Sequence, residues 1–189
     1  LADPVKAEKR DASEVVRAAI SAPLDSQALG DLVKSGSRVA IAVDGFCGRF
    51  TMTGALLPLV NELCASGASA GDIDVIVATG DNPVGKIDEL ISALKVGKVI
   101  VNDRRAGDFV DVGTTSFGTK VQINRAYYEA DLKITVSGLS VDWLYGFRGG
   151  PTCIVPGICS ASTASQNSRL VLQRDAKIGP GRREGNPLH

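Results

Sequence analysis

Three runs of the chain are near-continuous in apolar, largely β-branched residues: Arg38–Asp44 (RVAIAVD), Asp74–Thr79 (DVIVAT) and Asp131–Ser137 (DLKITVS). Such runs read as strands covered on both faces, the condition of strands in a parallel sheet. Lys98–Asn102 (KVIVN) and Lys120–Ile123 (KVQI) are shorter runs of the same kind. Between them lie stripes with helical spacing. Ser13–Ile20 opens on a residue able to cap and aligns Val15, Val16, Ala19 and Ile20. Ser26–Lys34, Thr53–Ala65 and Ile87–Leu94 repeat the pattern, and Ala161–Leu172 is a weaker instance. Strand and helix alternate through the first hundred residues, which predicts an α/β fold: Rossmann-like, with a mostly parallel sheet flanked by helices.

A chain of 189 residues buries roughly 70% of the surface its unfolded form exposes, so a full core forms without staples. The 21 basic and 21 acidic side chains cancel, which removes the usual electrostatic argument for nucleic acid or an anionic membrane. No apolar run approaches the ~20 residues of a membrane span. The polar start LADPVKAEKRDASE is unlike a secretory signal. Cys47, Cys64, Cys153 and Cys159 form no CxxC and no zinc spacing, so they do not read as a disulfide framework. Cytoplasm is the expected location.

Parallel sheets bind ligands beyond the carboxyl ends of their strands. Three such ends carry notable loops: Asp44 to Arg49, Thr79 to Asn82, and Ser137 onward to Gly146–Pro151 (GFRGGP). Glycines crowd into 107–118, 138–157 and 179–185, read as loops whose backbone can approach a ligand closely. The familiar nucleotide signatures and the G-x-S-x-G elbow are absent. His189, the sole histidine, leaves no internal imidazole for a hydrolytic triad. Asp44 and Arg49 are the best polar pair, since an arginine at a strand tip grips a carboxylate in bidentate fashion. Arg148, set among glycines, is a second anion-binding candidate. Asp142 beside Trp143 is a candidate base, its pKa raised if the pair is buried. Thiolates of Cys47, Cys153 or Cys159 would suit a soft metal, although buried inert cysteines are commoner.

Taken together, these segments resemble the N-terminal domain of the lactate racemase family, over most of the chain (1–189). Val77-Ala78-Thr79-Gly80 is similar to the family's VATG turn. Residues 113–119 (GTTSFGT), Asn124-Arg125-Ala126 and Glu129-Ala130-Asp131-Leu132 are similar to its GTTSxGTP…NRxxxEADL stretch. Gly146–Pro151 with Pro156-Gly157, and Gly185–His189 (GNPLH), are similar to its GFSGGxK…PG and GNPxH segments. The resemblance implies hydride transfer between a 2-hydroxy acid and a nickel-pincer nucleotide, with two histidines as acid and base. It also implies a lysine anchoring the cofactor, a histidine on nickel and an arginine on the substrate carboxylate. Carried over by position, the arginine is Arg49, while the acid/base histidines fall on Asn82 and Asp142. The lysine falls on Thr152 and the nickel ligand on Ser168. Asp44 and Arg148 are the further substrate-binding candidates, and Thr114, Thr115, Gly149, Gly150 and Thr152 the cofactor-binding ones.

The leading expectation is a divergent isomerase acting on a small 2-hydroxy acid or sugar acid, with a small carboxylate as its partner. The alternative is a non-catalytic member that binds a ligand or serves as a scaffold. Asn186 is a good N-cap and Pro187 suits a first helical position, so a helix is expected to begin there. In the resembled family that point leads into a second domain. An exposed apolar patch, and a dimer that covers it, are expected where that domain is missing.

Overall fold

The computed structural model describes residues 11–44, 52–78 and 92–189. Its centre is a four-stranded sheet of β1 (Val39–Asp44), β2 (Ile73–Ala78), β3 (Lys98–Val101) and β6 (Leu132–Val136). The order is β3-β2-β1-β6 and every neighbour is parallel, with Val43 of β1 opposite Val77 and Val136. The three long apolar runs lie adjacent and parallel within it, in keeping with the expected parallel sheet.

Alternation along β1 explains the layers. Val39, Ile41 and Val43 point to one face, where with Val75 and Val77 they meet Leu56, Leu59, Val60 and Leu63 of α3 (Met52–Ala65). Ile20 of α1 (Ala12–Ser21), together with Leu29 of α2 (Leu29–Leu32) and Val33, completes that side. Ala40 and Ala42 point to the other face. Their small side chains let Tyr127 of α4 (Arg125–Glu129) and Cys153 and Ile158, at and just after the turn Cys153–Gly157, close down on the sheet. β1 and β2 are thus buried on both sides, as their runs require.

β6 differs. Leu132, Ile134 and Val136 pack into the core while Lys133 and Thr135 are exposed, so this edge strand is covered on one face only. The run DLKITVS reads as a strand covered on both faces; its alternation is instead the pattern of a half-buried strand.

Two antiparallel hairpins replace segments read as loops. β4 (Phe109–Thr114) pairs with β5 (Lys120–Asn124), and β7 (Ser140–Asp142) with β8 (Gly146–Arg148). The run at 120–123 is a strand, but it joins this hairpin instead of the sheet. β4 and β7 were hidden because glycine and polar residues suppress the apolar signal in strands that lie largely exposed.

Helix boundaries moved for local reasons. α1 is capped by Asp11, whose carboxylate accepts from the N–H groups of Ser13 and Glu14, so Ser13 lies inside the helix. The second helix is one turn, and residues 92–94 are helical while 87–91 fall outside the described residues. The weak stripe at 161–172 is α5 (Ala161–Ser168), capped by Ser160, followed by a 3-10 turn over Arg169–Leu172. At 186–189 the chain makes a turn: the Asn186 side chain accepts from Leu188 N–H as a cap would, and the His189 N–H donates to the Asn186 carbonyl.

Candidate functional site

At the carboxyl edge of β1 and β2 the fold leaves a cleft of about 60 Å³ between Asp44, Ala78, Arg104, Tyr145, Arg148, Thr152, Pro156 and Gly157. Asp44 ends β1 and Ala78 ends β2, and the remaining walls come from the β3 exit, the second hairpin and the turn after it. The glycine at 157 permits this closure: a Cβ there would lie 3.0 Å from the Ala78 Cβ and 2.9 Å from the Thr152 carbonyl.

The floor is pinned from the end of β3. Asn102, buried at 1% exposure, donates to the carbonyls of Gly157 and Cys159 at 3.3 and 3.4 Å, and its own carbonyl accepts from Asn124 at 3.1 Å. Arg104 donates through Nε and Nη2 to the Pro156 carbonyl at 3.1 and 2.8 Å. A guanidinium is thereby fixed in the cleft wall with its plane set by two bonds.

The opposite wall is the β7–β8 hairpin. Asp142 Oδ1 accepts from the N–H groups of Leu144 and Tyr145 at 2.8 and 2.9 Å, and its Oδ2 lies 3.6 Å from Arg148 Nε. Trp143 is 79% exposed and gives Asp142 no apolar cover. Tyr145 is 8% exposed, its ring set against Leu170 and Leu188. Burial pushes its phenol above the ordinary value, with a hydrogen bond to the Ser168 side chain working against that rise. The phenol therefore stays neutral near pH 7.

The double glycine forms the rim. Gly149 and Gly150 have φ of 125° and 48°, a turn open to glycine, and Gly150 N–H donates to Ser137 Oγ at 2.7 Å, joining the rim to the end of β6. Thr152 Oγ1 accepts from the Gly149 N–H at 2.9 Å.

Of the residues expected at the site, Asp44, Arg148 and Thr152 line one cleft, Asp142 braces Arg148, and Gly149 and Gly150 shape the rim. Arg49, Asn82 and Cys47 lie outside the described residues. Thr114 and Thr115 lie at the far tip of the β4–β5 hairpin, where Thr115 N–H donates to the Thr119 carbonyl, and neither lines the cleft. Ser168 faces Tyr145 from the end of α5. Arg104 and Tyr145 were missed. The signal for Arg104 was available, because Lys98–Asn102 belongs to the same parallel set and its exit loop shares the same edge.

Cys153 and Cys159 are not poised as ligands. Burial pushes the Cys159 thiol up to about 11, and Cys153 is 1% exposed with its thiol 3.9 Å from the Val136 carbonyl. Among the described residues no group of three or more His, Cys, Asp and Glu side chains could hold a metal ion. No helix among them is long and apolar enough to cross a membrane.

Two larger hollows lie elsewhere. One of about 490 Å³ runs beside β3 and α4; in it Arg125 pairs with Asp108 and Glu129, and Asp103 accepts two backbone N–H groups that lower its pKa. The other, about 600 Å³, is a wide hollow beside Gly149 and Gly150 with Leu139, Phe147, Arg183 and His189. The small cleft is the candidate because it combines the strand ends with convergent polar groups.

Comparison with known proteins agrees with this architecture. The lactate racemase of Thermoanaerobacterium thermosaccharolyticum is 24% identical over 182 residues, 93% of this chain and 42% of that protein. The lactate racemase of Lactiplantibacillus plantarum is 25% identical over 189 residues, 96% of this chain and 44% of that protein. The chain thus spans less than half the length of these relatives. The solved lactate racemase apoprotein from T. thermosaccharolyticum superposes with a TM-score of 0.72, covering 95% of this chain and 44% of that one. A solved Thermotoga maritima protein superposes at 0.69 with 19% identity, covering 96% and 47%. The model of the lactate racemase N-terminal domain matches residues 1–179, and this chain belongs to that family.

Proposed function

We propose that this domain takes a small 2-hydroxy acid or sugar acid at the edge of β1 and β2, as part of an isomerase-class protein. The observation that carries the reading is the convergence of Arg148, Arg104, Tyr145 and Thr152 on the cleft where Asp44 ends its strand. Arg148, braced by Asp142, offers a guanidinium to the ligand carboxylate; Arg49 shares that role by resemblance. The neutral Tyr145 phenol is a donor for a hydroxyl or carbonyl oxygen. A second domain closing over the cleft belongs to the same reading, supported by Leu139, Val141 and Trp143, which are 82%, 63% and 79% exposed in and beside the β7–β8 hairpin.

The family's cofactor does not fit the donors described. A covalent anchor needs an amine, and the position holds the Thr152 hydroxyl, bonded to its own turn. A nickel ligand needs an imidazole or thiolate, and the position holds the Ser168 hydroxyl. No catalytic step is therefore derived through that group.

Titration calorimetry with D-lactate, L-lactate and gluconate tests the reading. Binding of one of them, weakened roughly tenfold or more in Arg148→Ala, supports it. An Arg148→Ala variant that binds as tightly as the parent removes this residue from the site. Binding without turnover is the second reading, favoured by the Asp142 carboxylate being engaged with its own turn and Arg148. Polarimetry of the bound acid separates the two.

A further inference from the structure

We propose that the cleft is a metal-free oxyanion site, which receives its carboxylate directly and does not carry the nickel-pincer nucleotide implied by the family. The inference rests on the carboxylate reading above and specifies how that ligand is held.

Three independent observations converge. The first is donor chemistry. The cations lining the cleft are Arg104 and Arg148, and a guanidinium stays protonated, so it neither attacks a carbonyl nor ligates a metal. The Tyr145 hydroxyl is a hard, neutral donor suited to anions, and it and the Thr152 hydroxyl are both poorly suited to nickel.

The second is that neither cofactor position offers the group the family uses. Thr152 Oγ1 lies 2.9 Å from the Gly149 nitrogen and 3.5 Å from its carbonyl oxygen, so the hydroxyl is part of the double-glycine turn. Ser168 stands at the end of α5 beside Tyr145, which packs with Leu170 and Leu188, and its position carries a hydroxyl in place of an imidazole.

The third is space. Among the described residues the cleft holds about 60 Å³, against the roughly 300–1,000 Å³ of pockets for drug-sized ligands. A carboxylate fits there. The nearby hollow of about 600 Å³ is large enough for a nucleotide, but Thr152 lines the small cleft and not the wide one.

The test is to produce the chain in cells that make the nickel-pincer nucleotide, with the T. thermosaccharolyticum lactate racemase made in the same cells as the positive control. Nickel per chain is measured by plasma mass spectrometry, and covalent attachment by intact mass. We expect the control to load while this chain shows background nickel and its unmodified mass. A parallel calorimetric titration with lactate and with inorganic phosphate should give the same affinity whether or not the cells made the cofactor. Nickel approaching one per chain, or a mass increment matching the attached nucleotide, overturns the proposal. The nickel and mass readings decide this inference while lactate binding decides the carboxylate reading, so the two fail separately.

Discussion

The Ser13 hydroxyl donates to the Gly54 carbonyl at 3.2 Å, across the packed helices α1 and α3. That carbonyl is available because Pro58, four residues on and inside α3, has no N–H to give it. A defect in one helix is thus satisfied by the other. Ser13→Ala should cost about 1 kcal/mol in the native background. In a Pro58→Ala background, where the ladder is restored, the same change should cost less than about 0.5 kcal/mol. Urea melts of the four variants give the coupling, and equal costs in both backgrounds would contradict this account.

Gly146 opens β8 at φ of 73°, and its N-terminal hairpin partner is Asp142. A Cβ there would sit 2.0 Å from the Arg182 carbonyl oxygen, and the Gly146 carbonyl accepts from Gly181 N–H at 2.8 Å. Gly146→Ala should destabilise the domain by about 1–3 kcal/mol, combining left-handed strain with displacement of the 181–182 turn. Thermal unfolding followed by circular dichroism measures it. An unchanged midpoint would mean that the hairpin does not pack on that turn.

Asp142 separates a turn-building role from a charge role. Asp142→Asn keeps an acceptor for the Leu144 and Tyr145 N–H groups and loses only the attraction to Arg148, whose side chain is 38% exposed. It should change stability by less than about 1 kcal/mol. Asp142→Ala loses the two backbone bonds as well and should cost about 1–2 kcal/mol. If Asn and Ala prove equally costly in denaturant melts, the carboxylate charge matters more than its geometry suggests.

Cys159 links stability to alkaline pH. Burial raises its folded-state value from 9.0 to about 11, so the unfolded chain loses the proton first. Its contribution is complete below about pH 9 and declines by up to about 1.4 kcal/mol per pH unit as pH rises toward 11. Comparing the chain with Cys159→Ala in urea at pH 8 and pH 10 isolates that slope. The native thiol should also resist thiol reagents at pH 8 until denaturant is added; rapid native labelling would place it at the surface.

The central sheet was legible because buried parallel strands leave continuous apolar runs, and Val39–Val43 and Ile73–Ala78 do so without ambiguity. Asp44 and Arg148 were legible as site candidates because a parallel sheet fixes which ends of its strands share an edge. The two hairpins were not, since Gly113 and Gly146 carry no apolar signal and strand pairing at a surface is decided by the partner strand. Arg104 and Tyr145 needed the tertiary structure for another reason. Their place depends on how the 153–157 turn packs onto Ala40, Ala42 and Ala78, a contact between segments distant in the chain. Sequence alone determined the layers and the sheet edge that carries the candidate cleft. Packing across the small-residue face of the sheet decided which side chains meet there, because no local pattern records the shape of a surface built from four separate segments.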